Sequence, residues 1–448
     1  MARDMTGAAT PKVLVIAEAA NPEWVSVPLV GWSLAQALRE VADVHLVTQI
    51  RNRDAILRTG LVEGRDFTAI DSEALARPLW KLGAFLSGGE GRGWTIRQAV
   101  NTISYPYFEH LVWRRFRTAI RAGEFDLVHR VTPLSPVQPS PIAAKCRRAG
   151  VPFLLGPING GVPWPKGFEA EMKQENEWLS RLRWVSRMLP GRRNTLRAEA
   201  ILAGSRQTIS DIPARHRDRV IYLPENAIDP ARFWRRADHG PALAGGPLRA
   251  CFIGRLVPLK GVDMLIAAAE PLLESGRMKL DIVGDGPMLP ALKEQARHLG
   301  AAVRFHGWKK HEEVQDIAAD CTVLTFPSIR EFGGGVVLEA MALGLCPVVI
   351  DYAGPAELVT PETGYAVPIG DRAEVVAGLR AALLRCAENP AEVAQKAAAA
   401  RARVDALFTW GHKAAQVREV YDWVMGVRAE RPDPMAETDR AAARRGEP

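Results

Sequence analysis

The sequence predicts an α/β protein made of two doubly wound parallel sheets, one after the other along the chain. Three observations carry this expectation. Short apolar runs recur through the 448 residues, amphipathic stretches separate them, and the alternation restarts after a Gly/Pro/Ala-rich break near residue 240. Strand, helix, strand at this spacing requires parallel pairing with crossovers. A chain of this length holds two to three domains, each large enough for its own core.

The first strand is KVLVIAEAA (Lys12–Ala20), an apolar run interrupted by Glu18. It lacks the small-residue cleavage pattern of a signal peptide. A loop, NPEWVSVPLVGW, leads to the helix SLAQALREVA from Ser33 and the strand DVHLVTQ. Residues 77–121 read as helical and rich in Trp and Arg, followed by strands FDLVHRVTP (Phe125–Pro133) and PFLLGPING (Pro152–Gly160). Between Lys173 and Ala200, Trp178, Leu182, Val185 and Leu189 recur at helical spacing beside Arg181, Arg183, Arg187, Arg192 and Arg193. That pattern suits a basic surface for anionic lipid or an acidic acceptor, and equally a core-packed helix with a solvated arginine face. AILAGS and VIYLPENAID complete a first domain over residues 1–236.

The linker is ADHGPALAGGP, residues 237–247. A second domain, 248–405, follows with strands RACFIGRL, KLDIVGDGP, AVRFHGW, CTVLTFPS and CPVVI. A helix over 406–427 is expected to cross back to the first domain, and the charged, Pro-bearing tail 428–448 to be disordered.

Charge and cysteine usage exclude several classes. The net charge of +7 belongs to the first half: residues 1–225 carry 31 Lys+Arg against 22 Asp+Glu, the remainder 27 against 29. Such a half suits an anionic membrane face or an acidic substrate, and no recognition motif accompanies the charge to suggest nucleic acid. No run of eighteen apolar residues suggests a membrane span. Cys146, Cys251, Cys321, Cys346 and Cys386 are scattered, without CxxC spacing, and read as buried thiols of a reducing compartment.

The richest stretch is REFGGGVVLEAMALG, Arg330–Gly344. It joins a carboxylate, Glu331, to Phe332 and the glycines Gly333, Gly334 and Gly335, then to a helical run carrying Glu339. A Gly-rich loop feeding a helix N-terminus offers N–H donors and a favourable dipole to an anion. Carboxylates beside such a cradle suit a sugar nucleotide, whose hydroxyls need acceptors and whose diphosphate needs donors. FIGRLVPLKGVDML (Phe252–Leu265) adds Arg255 past a strand end and Lys260 before a helix. Two cations there neutralise a diphosphate, and their spacing is not that of a Walker motif. The first βα loop lacks GxGxxG, which argues against an NAD-dependent oxidoreductase.

In order, GRLVPLKG, DIVGDGP, VRFHGW, FPSIREFGGGVVLEAMALGLCPVV and AGPAELV resemble the donor-binding half of family 4 retaining glycosyltransferases (glycosyl transferases group 1) over roughly Arg249 to Gly370. DLVHRVTP, GPINGG and LPENAIDPARF extend the resemblance into the first half. The resemblance implies a GT-B fold, two Rossmann-like domains with an interdomain cleft. It also implies transfer of a sugar from a UDP- or GDP-linked donor to a glycan or lipid-linked acceptor, as in glycan, exopolysaccharide or glycolipid synthesis. A nucleotide-sugar epimerase or isomerase on the same fold is the alternative.

By the same resemblance, Arg255 and Lys260 hold the diphosphate and Glu331 contacts the donor sugar. N–H groups of Phe332 to Gly335 bind hydroxyls or phosphate, and Glu339 takes the ribose diol. Trp308 lies near the base, His129 reaches a distal sugar hydroxyl, and Gly31 lies beside the diphosphate. Two departures stand out: Val30 precedes a lone Gly31 where the family carries paired glycines, and Ala227 replaces a common glycine. No Asp-x-Asp occurs, so neither metal nor cofactor is expected. A cytoplasmic protein with a peripheral contact at the inner membrane face is the expected setting.

Overall fold

The computed structural model describes residues 10–74, 77–78, 94–175 and 195–435, with 94–103 described by backbone alone. The chain forms two compact units. The first takes Met1–Gly161, Leu179–Glu225 and Trp410–Pro448; the second takes Val162–Trp178 and Asn226–Thr409.

In the first unit β1 (Lys12–Ala17), β2 (Asp43–Gln49), β3 (Phe67–Ile70), β4 (Leu127–Thr132), β5 (Phe153–Ile158), β6 (Ala200–Ala203) and β7 (Val220–Tyr222) form one sheet. Its order is β3-β2-β1-β4-β5-β6-β7, with every pairing parallel. All six residues of β4 and of β5 are buried, as a parallel strand covered on both faces requires. The helix Trp410–Val424 covers part of one face, where Val417, Val420 and Tyr421 join Leu34, Leu202 and Ile221 in a single core. Lys413 of that helix is buried and donates to the carbonyl of Pro224. Desolvation draws its ammonium down to about 8, with Glu225 opposing.

The second unit repeats the plan. β8 (Leu248–Ile253), β9 (Met278–Val283), β10 (Val303–Gly307), β11 (Val323–Phe326), β12 (Cys346–Asp351) and β13 (Tyr365–Pro368) lie in the order β10-β9-β8-β11-β12-β13. The chain therefore winds outward from β8 in one direction and from β11 in the other. The helix Val262–Glu274 buries Val262, Leu265, Ile266, Ala269, Leu272 and Leu273, the apolar stripe expected of a covering helix. All five cysteines are buried and free.

Four expectations change. The boundary falls after Glu225, and residues 237–247 are part of the second unit. Ile228 donates to the carbonyl of Phe408 at 2.8 Å, Ala237 to that of Leu343 at 2.8 Å, and a short helix spans Gly240–Leu243. Backbone pairing thus anchors a stretch whose composition reads as a linker. Second, Val162–Trp178 leaves the first half of the sequence to join the second unit.

Third, the tail is packed as far as residue 435. Met435 is buried, and Arg431 donates to the carbonyl of Asp218 at 3.3 Å. The Trp178–Leu189 pattern, residues 79–93 and the tail beyond 435 lie outside the described residues.

Fourth, the first helix spans Val27–Ala37, not a start at Ser33, because Pro28 in its first turn favours helix entry. Gly31 is therefore a buried helical residue and not part of a loop. A Cβ there would collide with the carbonyl oxygen of Ala19 and press on Thr132. Gly31→Ala is expected to lower stability by about 1–3 kcal/mol through overpacking, measured by thermal and denaturant unfolding.

Candidate functional site

Open parallel sheets bind ligands beyond the carboxyl ends of the strands where the winding reverses. In the second unit that point lies between β8 and β11, paired at Val323↔Ala250 and Leu324↔Cys251. The loop leaving β8 carries Arg255 and Lys260, and the loop leaving β11 carries Glu331 to Gly335. Sheet topology thus brings together residues more than seventy positions apart.

Several bonds stitch the two loops. The N–H of Ile329 donates to the carbonyl of Leu259 at 3.0 Å, and Ser328 Oγ donates to the same carbonyl at 3.2 Å. Gly261, φ 65°, sits so close to the carbonyl of Pro327 that a Cβ would collide with it. Lys260 Nζ then donates directly to Glu331 Oε2 and lies 4.7 Å from the centroid of the Phe326 ring. Both side chains of this ion pair are mostly buried, 16% and 22% exposed. Arg255 stands exposed at the end of β8.

The glycine loop that sequence reasoning offers to an anion leads into the N-terminus of the helix Gly335–Leu343. Gly334 enters it with a left-handed φ of 62°, and no side chain caps it. The N–H of Val337 donates to the carbonyl of Gly334 at 2.9 Å, and the first-turn N–H groups of Gly335 and Val336 have no side-chain cap. Of the three glycines only Gly334 needs this backbone freedom. Buried Val337, Leu338, Met341 and Leu343 fix the helix from the inside. Glu339, one turn in, is raised to about 7 by desolvation, with Arg232 opposing. On the same edge Trp308 follows β10 and is 71% exposed, a free aromatic face for a stacking ligand.

Sequence reasoning missed the support behind Glu331. Arg330 is buried, and its Nε donates to the carbonyl of Val162 at 3.0 Å. Its guanidinium lies 5.3 Å from the Trp164 ring and 5.5 Å from the Phe332 ring. Tyr352 Oη donates to the carbonyl of Pro163 at 3.0 Å, and Arg372 pairs with Glu171 at 3.3 Å. The strap 162–175 therefore holds the loop on which Glu331 stands. Only Trp164 within PWPKGF hints at it in the sequence, and nothing local says which unit it joins.

The two site residues expected from the first half are both buried. Gly31 lies inside a helix, as above. His129, in the middle of β4, is fully buried, with Nδ1 2.7 Å from Tyr421 Oη and Nε2 2.6 Å from the carbonyl of Gly156. The carbonyl can only accept, so Nε2 carries the proton and Nδ1 accepts from the tyrosine. No ring nitrogen remains for a sugar hydroxyl, which removes His129 from the donor contacts.

Two parallel units, each wound outward from a central pair of strands, define the GT-B fold. The HepE structure from Anabaena in complex with UDP shares that fold, with TM-score 0.59 and 18% identity over 91% of this chain and 99% of that one. Residues 247–385, all within the second unit, match the family described as Glycosyl transferases group 1. Among curated relatives, a glycogen synthase of Mycobacterium tuberculosis is 34% identical over 205 residues, 45% of this chain and 48% of the relative. A GDP-mannose-dependent monoacylated alpha-(1-6)-phosphatidylinositol monomannoside mannosyltransferase of Corynebacterium glutamicum is 34% identical over 174 residues, 37% and 44% of the two chains. The chain thus spans about half the length of these curated relatives.

Burial holds the His129 ring neutral and draws its pKa from 6.5 down to about 4, with the Gly156 carbonyl opposing. Between these values the unfolded chain binds more protons than the folded one. The contribution is whole above 6.5 and is lost as pH falls toward 4, by about 3 kcal/mol. Urea unfolding across this range should show that loss, and His129→Gln should flatten it.

Proposed function

We propose that this protein is a retaining glycosyltransferase that moves a sugar from a UDP- or GDP-linked donor to an acceptor hydroxyl. The observation that carries the reading is the convergence of Lys260, Glu331 and the uncapped helix at Gly335 on one switch point. That grouping offers cations and N–H donors to a diphosphate, and a carboxylate to sugar hydroxyls.

In this reading Arg255 and Lys260 bind the diphosphate and Glu331 contacts the donor sugar near its anomeric carbon. The N–H groups of Phe332 to Gly335 take phosphate or hydroxyl oxygens. Glu339 accepts from the ribose diol, and Trp308 packs near the base. The anomeric C–O bond breaks and its electron pair leaves with the nucleotide phosphate, whose growing charge Arg255 and Lys260 stabilise. The acceptor oxygen attacks from the same face and its proton passes to the departing phosphate oxygen, so configuration is retained. Glu331 orients the sugar and stabilises positive charge without forming a bond to it. No metal or cofactor enters this scheme.

The acceptor is a glycan or a lipid-linked glycan. The names of the two relatives, one for glycogen and one for a phosphatidylinositol mannoside, support that range. The setting is cytoplasmic, with a peripheral contact at the inner membrane face. The excess of cations in residues 1–225 supports such a contact. Among the described residues no helix is long and apolar enough to cross a membrane.

Thermal stabilisation by UDP-, GDP- and ADP-sugars identifies the donor. Transfer of the labelled sugar is then measured, with an acceptor-free control. Lys260→Ala and Glu331→Ala are each expected to cut transfer about 10²- to 10³-fold with circular dichroism unchanged. Full activity in either folded variant contradicts the assignment.

A further inference from the structure

The first unit has a second cleft that the transfer site does not use. It has a volume of about 520 Å³ and is lined by Arg147, Arg197, Glu199, Arg219, Trp423 and Val424. Glu199 and Arg219 immediately precede β6 and β7, and Trp423 and Val424 end the helix Trp410–Val424. The cleft therefore opens at the amino edge of the sheet, opposite the edge where doubly wound sheets bind nucleotides.

Its chemistry is that of an anion site. Three arginines and one glutamate line the cleft, and that carboxylate is engaged, since Glu199 Oε2 accepts from the N–H of Phe153 at 2.8 Å. Arg147 Nη1 donates to the carbonyl of Arg197 at 2.9 Å, which orients its fork. Arg219 lies 3.7 Å from Asp218, and the guanidinium of Arg197 has no bonded partner among the described residues. The local field registers on His216, whose pKa is lowered by desolvation first and then by Arg215, Arg219 and Arg197, against Asp218. Arginine forks match phosphate oxygens in pairs, while Trp423 and Val424 supply an apolar wall. The volume lies within the range of small-molecule sites.

We propose that this cleft binds the phosphate group of a small organic phosphate, independently of the nucleotide-sugar site. The test is calorimetry on the full chain with saturating UDP present. Ribose 5-phosphate, inorganic pyrophosphate, and phosphatidylcholine vesicles with or without phosphatidylglycerol are titrated separately.

Ribose 5-phosphate is expected to bind saturably. Arg147→Ala/Arg219→Ala should weaken it roughly tenfold or more, with unfolding temperature unchanged. Arg197→Ala, which breaks no side-chain bond, provides the same readout should the double variant unfold. Arginine-dependent binding confined to phosphatidylglycerol vesicles would identify the phosphate as a lipid headgroup. Failure of every probe to bind, or binding indifferent to all three arginines, overturns the proposal. None of these outcomes depends on whether sugar transfer is detected.

Discussion

Parallel pairing of β8 with β11 is the constraint on which the site in the second unit depends. The two strands are separated in sequence by an α-β-α-β-α excursion, yet they are adjacent in the sheet. Adjacent strands of equal sense end at one edge, so the loops that follow must meet there. Lys260 and Glu331 are paired because of this topology, before any ligand is considered. Neither loop is held by its own sequence alone. Leu259 accepts two bonds from the opposite loop, and Gly261 permits the approach that those bonds require.

The electrostatics follow from that closeness. Lys260 is held between an aromatic ring and a carboxylate in a setting that excludes much of the solvent. Under the proposed function a diphosphate would meet a side chain already fixed in place, together with helix N–H groups left without a capping side chain. Preorganisation of this kind costs no reorganisation when charge moves onto the leaving group. The clamp of Arg330 by Trp164 and Phe332 belongs to the same design, because it fixes the residue preceding Glu331.

Much of this was legible from residues alone, for identifiable reasons. Recurring apolar runs located most of the strands, because parallel strands bury both faces and leave runs such as FLLGPI and CPVVI. The glycine loop and its following helix were legible because Gly334 and Gly344 mark turns only left-handed backbone can make. Legibility failed where packing between distant segments decides the outcome. Gly31 reads as a loop glycine, yet close helix–strand packing requires it. His129 reads as a ligand contact, yet Tyr421, 292 positions later, occupies its Nδ1. The strap 162–175 and the stretch 237–247 failed for the same reason: the strap's carbonyls accept from the remote side chains of Arg330 and Tyr352, and the backbone of 237–238 donates to the remote carbonyls of Leu343 and Ala319, which no local composition encodes.

The central claim is that the carboxyl edge between β8 and β11 holds a nucleoside diphosphate. A crystal structure of the UDP complex tests it most directly. The diphosphate should lie against Lys260 and Arg255, with oxygens facing the N–H groups at Gly334 and Gly335. Density for UDP away from that edge, or Lys260 still paired only with Glu331 while the diphosphate sits elsewhere, would contradict the account.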